Sequence, residues 1–133
     1  MKYLLDTNVC IGFLSQRKPL LTQRYLSIAT SDKIICSIVR AELFYGAHKS
    51  QRRATSILSI ESFLAGYPNL DFDATAARIF GDLRADLESK GTPIGPYDLQ
   101  IAAIALSNHL TLVTHNTAEF SRVPHLLWED WEV

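Results

Sequence analysis

Four oxygen-bearing side chains of this sequence are embedded in apolar surroundings. Asp6 follows Lys2-Tyr3-Leu4-Leu5, and Glu42 lies within Ile38-Val39-Arg40-Ala41-Glu42-Leu43. Asp98 follows Gly95-Pro96-Tyr97, and Asn116 comes just after Thr111-Leu112-Val113. An ionised carboxylate among apolar neighbours is costly unless something compensates it. Three such groups gathered without clustered Lys or Arg repel one another, and a divalent cation removes that repulsion. Oxygen-only ligands favour Mg²⁺ or Mn²⁺ over zinc. A cation held this way lowers the pKa of a bound water and neutralises charge growing on a phosphoryl group, which suits phosphodiester hydrolysis without a Ser or Cys nucleophile.

Each residue also has a plain structural use. Asp6 is placed to cap a following helix, and Asp98 in a first turn complements a helix dipole. Asn116 suits a turn. Glu42 is harder to account for, because a glutamate on an apolar helix is almost never fully buried unpaired. The joint placement favours chemistry over four separate structural roles.

The elements that must position these groups alternate. Lys2–Leu5 and Lys33–Cys36 read as short buried strands, Leu70–Phe72 as a weaker one, Thr111–Val113 as another and Leu126–Trp128 as a last edge strand. Helices are expected after Asp6, after Pro19, from Ser37 (placed as its cap), and over Arg53–Leu64. Ala76, Phe80, Leu83 and Leu87 form an apolar stripe on a helix stopped by Gly91. Pro96 opens a helix whose body, Ile101–Leu106, is apolar nearly all round and therefore central. Such alternation implies an α/β fold with a parallel sheet covered on both faces, a three-layer α/β/α sandwich. In such sheets, sites form outside the carboxyl ends of the strands, where Asp6, Glu42, Asp98 and Asn116 fall.

A length of 133 residues fits one domain, 1–133, and 47% hydrophobic with 20% charged residues fits a globular core. The two cysteines, Cys10 and Cys36, are too few for a disulfide scaffold, so a reduced, cytoplasmic chain is expected. No apolar run can span a bilayer, and the opening Met1–Leu5 meets Asp6 too early for a signal peptide. The net charge of −1 conceals an imbalance: +6 through Arg53 and −7 thereafter. Arg40, Lys49, Arg52 and Arg53 are the best candidates for contacts to a phosphate backbone, with a solvated helix end as the plain alternative. The four histidines show no zinc spacing and are expected on the surface, His115 being of some interest because it abuts Asn116.

Four segments carry a resemblance. Leu4-Leu5-Asp6-Thr7-Asn8, Ser37–Leu43, Ile94–Ala103 and Val113–Phe120 resemble, in order and spacing, the PIN-domain ribonucleases, and more narrowly the VapC-type toxins of toxin–antitoxin pairs. The resemblance covers nearly the whole chain. It implies an endoribonuclease dependent on Mg²⁺ or Mn²⁺ that cuts structured RNA, transfer or ribosomal. It also implies a VapB-like antitoxin as partner and a homodimer within a larger complex, with no membrane. It assigns Asp6, Glu42 and Asp98 to the acidic metal ligands, and Thr7 and Thr114 to polar positions beside metal and water. Asn116 departs from the aspartate of many members, and Glu119 is then a candidate for the missing carboxylate.

Other classes fit less well. A phosphoacceptor receiver domain needs paired acids after the first strand and a late lysine, but Lys90 is the last one. A haloacid-dehalogenase-type phosphatase needs D-x-D-x-T, where this chain has Asn8 and Cys10. The serious alternative is a PIN-like binding module that acts through a protein partner with little catalysis, and the intact Asp6, Glu42 and Asp98 speak against it.

Overall fold

The structure, a computed structural model, describes residues 2–133; Met1, part of the opening run weighed above as a leader, lies outside them. Four strands form one parallel sheet in the order β2-β1-β3-β4, with β1 Tyr3–Leu5, β2 Lys33–Ile34, β3 Thr111–Val113 and β4 Trp128–Glu129. Tyr3 pairs with Lys33 on one side of β1 and with Thr111 on the other. Among the described residues seven α-helices flank this sheet: α1 Thr7–Ser15, α2 Pro19–Ser27, α3 Ser37–Lys49, α4 Arg53–Leu64, α5 Ala74–Ser89, α6 Pro96–Ser107 and α7 Thr117–Phe120. The expected three-layer α/β/α sandwich is what the chain forms. No helix among the described residues is long and apolar enough to cross a membrane.

The topology fixes where a site must lie. The chain leaves β1 for β2 on one side, then returns across the sheet to β3 on the other. Neighbouring β1 and β3 thus mark the switch point, and the crevice beyond their carboxyl ends is the natural position for a ligand. Asp6 and Thr114 are the residues directly beyond those two ends.

Helix α6 supports this edge from behind. Leu99 and Ile101 through Ala105 are all buried, as the unbroken apolar run requires, and α5 packs along it through Ala76, Leu83 and Leu87. Both helices stop by the same device. Gly91 (φ 72°) and His109 (φ 55°) take the left-handed conformation, and the next residues, Thr92 and Leu110, donate back to Leu87 and Ala105 at 2.9 Å. Gly91 does this without steric cost, whereas His109 carries a side chain there.

Three expectations change. Leu70–Phe72 is not a strand. Pro68 and Leu70 only accept bonds from Ile35 and Ser37 through their carbonyls, and no ladder follows. Pro68 has no N–H to give, and the Asn69 and Asp71 side chains are tied to each other at 2.9 Å. The strand expected over Lys33–Cys36 shortens to Lys33–Ile34 for the same reason: beyond Ile34 its partner is this irregular segment. Ser37 does not cap α3 either. Cys36 holds the cap position without a side-chain bond, while the Ser37 hydroxyl donates to Asp71 Oδ1 at 2.6 Å. Both cysteines are free, buried thiols, and burial pushes their pKa up.

Candidate active site

Asp6 is held at both oxygens. Oδ1 accepts the Thr7 backbone N–H at 2.8 Å and caps α1, so its structural role is real. Oδ2 accepts the Thr114 hydroxyl at 2.9 Å, linking the ends of β1 and β3. Thr114 is fully buried, and its oxygen in turn accepts the Asn116 backbone N–H at 2.9 Å. Thr7 reaches the other way, its hydroxyl donating to Glu42 Oε1 at 2.8 Å. The two threonines therefore orient two carboxylates from opposite sides of one crevice.

Asp98 completes the group from the first turn of α6. Asn116 Nδ2 lies 3.4 Å from Asp98 Oδ2 and 3.3 Å from Glu119 Oε2. The amide thus stands between two carboxylates as a donor, with its nitrogen rather than its oxygen turned to them. Glu119, on α7, lies beside Asn116 and Asp98.

The electrostatics are those of crowded negative charge. Burial raises Asp98 to about 7, helped by the charges of Asp6, Glu119 and Glu42. Asp6, only 5% exposed, is raised chiefly by burial, and its hydrogen bonds to Thr114 and Thr7 pull the other way. Among the described residues no ion pair includes Asp6, Glu42, Asp98 or Glu119. The donors are hydroxyls and amides, which orient charge without cancelling it. An all-oxygen, uncompensated set of this kind fits a hard divalent cation.

The basic candidates divide. Arg40 is turned inward: Nε donates to the Ile35 carbonyl at 2.8 Å and Nη2 to those of Tyr67 and Pro68 at 3.1 and 3.5 Å. It ties α3 to the irregular segment, a use that its place in the motif did not reveal. Lys49, Arg52 and Arg53 are exposed. Lys49 Nζ sits 5.1 Å from the Tyr45 ring centroid, and Arg53 Nε donates to the His48 carbonyl.

A second group of metal-type side chains went unread in the sequence. His115 Nδ1 lies 2.8 Å from Asp130 Oδ2, and Glu132 Oε1 is 3.9 Å from His115 Nε2. Only the Asp130-x-Glu132 spacing hinted at it. Lys18 Nζ already neutralises Glu132 at 2.7 Å, so this group differs in kind from the uncompensated crevice.

Comparison with known proteins follows the same lines. The PIN domain profile matches residues 3–126. The tRNA(fMet)-specific endonuclease VapC of Shigella flexneri is 42% identical over 131 residues, covering 98% of each chain. Ribonuclease VapC2 of Rickettsia felis is 38% identical over 133 residues, covering 99% of each. A chain in the crystal structure of DNA-bound VapBC from Salmonella typhimurium superposes with a TM-score of 0.91, at 41% identity and 98% coverage of both chains. Fold, order of motifs and similarity over the whole length agree, and the chain belongs to the PIN domain family, within its VapC branch.

Proposed function

We propose that this protein is a VapC-type endoribonuclease that hydrolyses a phosphodiester bond of transfer RNA and is kept silent by a VapB-like antitoxin. The observation that carries the reading is the convergence of Asp6, Glu42, Asp98 and Glu119 beyond the ends of β1 and β3 with no cationic partner among the described residues. Transfer RNA is favoured over ribosomal RNA by the specificity in the name of the Shigella relative. The solved VapBC complexes among its structural relatives point to the antitoxin.

Asp6 and Asp98, with Glu42 and Glu119 beside them, would hold Mg²⁺ or Mn²⁺. When bound, the cation lowers the pKa of water and offsets charge on the phosphoryl oxygens. The protein's own share is positional. Thr114 fixes Asp6 and Thr7 fixes Glu42, leaving Glu42 Oε2 free to accept a proton from attacking water. Asn116 Nδ2 donates towards both Asp98 and Glu119, two carboxyl groups that also meet each other directly. Asp98, raised to about 7 by burial and its acidic neighbours, would have to be ionised to serve as a ligand, so metal affinity would be expected to increase with pH through neutrality.

The test is to incubate the purified protein with total RNA in Mg²⁺ buffer and sequence the new ends. Ends confined to one position in initiator tRNA support the reading, and an undegraded pool or scattered ends throughout the RNA overturn it. A separate expectation concerns Arg52 and Arg53. With Arg52→Ala and Arg53→Ala combined, the slope of log binding constant against log salt should flatten by about 1.4, two contacts at roughly 0.7 each. Filter binding at 50–200 mM salt measures it, and an unchanged slope removes these arginines from the interface.

A further inference from the structure

Beside the carboxylates the surface opens into a cleft of about 670 Å³ whose walls include Thr7, Glu42, Ile38, Tyr45 and Tyr97. The two tyrosines are its unusual feature. Tyr45 is 63% and Tyr97 62% exposed, more than any other aromatic ring in the chain. Among the described residues neither ring stacks on another, and neither phenol has a hydrogen-bond partner. Leaving two large rings in water has no packing benefit, since the apolar side of each stays unburied.

Their positions are tied to the acids. Tyr45 comes three residues after Glu42 on α3, so both project from one face of that helix. Tyr97 directly precedes Asp98 in the first turn of α6. Lys49 sets its ammonium over the Tyr45 ring, and a neighbouring groove runs from Glu42 towards Arg52. A flat π-face edged by cations, one step from a phosphodiester-cutting crevice, complements an unpaired nucleobase whose flanking phosphate meets the ammonium.

We infer that Tyr45 and Tyr97 are substrate-positioning residues that stack an unpaired base adjoining the scissile phosphate, so that the enzyme selects RNA in which that base is free to leave its neighbours. This rests on the ribonuclease reading and adds the recognition feature that reading lacks. A peptide of the antitoxin is the rival occupant of the same cleft.

Two readouts test it. With the cleaved tRNA and no antitoxin, Tyr45→Ala and Tyr97→Ala should each raise KM about tenfold with a smaller change in kcat, as expected for one lost stacking contact. Tyr45→Phe and Tyr97→Phe should recover most of the loss. A tRNA carrying an abasic nucleotide at the stacked position should be cut equally poorly by wild type and alanine variants. The second readout does not depend on cleavage. In an Asp6→Asn background, a short single-stranded RNA containing 2-aminopurine should lose fluorescence on binding, and the alanine substitutions should abolish that quenching. Wild-type KM in the alanine variants, equal losses on intact and abasic RNA, or unchanged quenching each overturn the inference, as does an effect on antitoxin binding alone. Quenching by the tyrosines with no RNA cut by wild type sinks the ribonuclease reading and leaves base stacking standing.

Discussion

Asp6→Asn and Asp98→Asn are each expected to lower RNA cleavage by 10³-fold or more while the protein stays folded, a loss on the order of that caused by removing one preorganised electrostatic group from an active site. The amide keeps the shape of the carboxylate: in Asp6→Asn the side-chain oxygen still accepts the Thr7 N–H and caps α1, while Nδ2 donates to the Thr114 hydroxyl, so the link between the strand ends is kept with its direction reversed. What is lost is one negative charge toward the cation. The second half of the expectation runs opposite to most active-site damage in buried positions. In metal-free buffer Asp98→Asn should melt about 3–5 °C higher than wild type, corresponding to about 1 kcal/mol once the partial exposure of Asp98 is allowed for. The cause is that the carboxylate it replaces is desolvated by burial and, to a lesser degree, repelled by Asp6, Glu119 and Glu42. Single-turnover cleavage and calorimetry on the same samples measure both halves. Full activity in both variants would falsify the site.

Withdrawal of divalent metal gives the second large effect. Excess chelator should reduce cleavage to background, and added Mn²⁺ or Mg²⁺ should restore it; cleavage that resists the chelator ends the metal role. The pH dependence of the metal-free protein follows from Asp98. Its pKa is about 7 in the folded protein against an ordinary 3.8, so the native state binds more protons than the unfolded state between those values. Stability is therefore greatest at the acid end of that window and falls as pH rises from about 4 to 7. The decline amounts to about 1–2 kcal/mol after discounting for solvent around a half-buried group. Saturating Mn²⁺ should flatten or reverse the trend, because the cation favours the ionised form. Urea midpoints at pH 4.5, 6 and 7.5, with and without metal, measure it. A metal-free midpoint that climbs across this range contradicts the crowding of charge.

Much of this architecture could be read in the sequence, and the reasons are physical. The body of α6 is apolar on every face, which only a central helix tolerates, and it is buried accordingly. Asp6 and Asn116 follow apolar runs too short for anything but strands of a parallel sheet, which placed them at its carboxyl edge. The failures come where a side chain chooses among competing polar partners. Ser37 sits where a cap belongs, yet Asp71, 34 positions away, accepts its hydrogen bond. Arg40 lies between candidates for phosphate contact, yet three backbone carbonyls claim its guanidinium. Asn116 offers an amide whose two ends are chemically opposite, and only the approach of Asp98 and Glu119 selects the donor end. The pairing of His115 with Asp130 depends on where the chain beyond β4 runs, which no local pattern encodes.

The hydrogen bond between Asp6 and Thr114 spans 108 positions of the chain. A polypeptide emerging from a ribosome exposes the first of these residues long before the second is made, and parallel pairing of β1 with β3 must wait for the same event. An incomplete nascent protein thus has its first carboxylate but not the hydroxyl that aims it. Until residue 114 is free of the ribosome, the carboxylate at position 6 has no fixed aim, so the finished geometry is a property of the nearly complete chain alone.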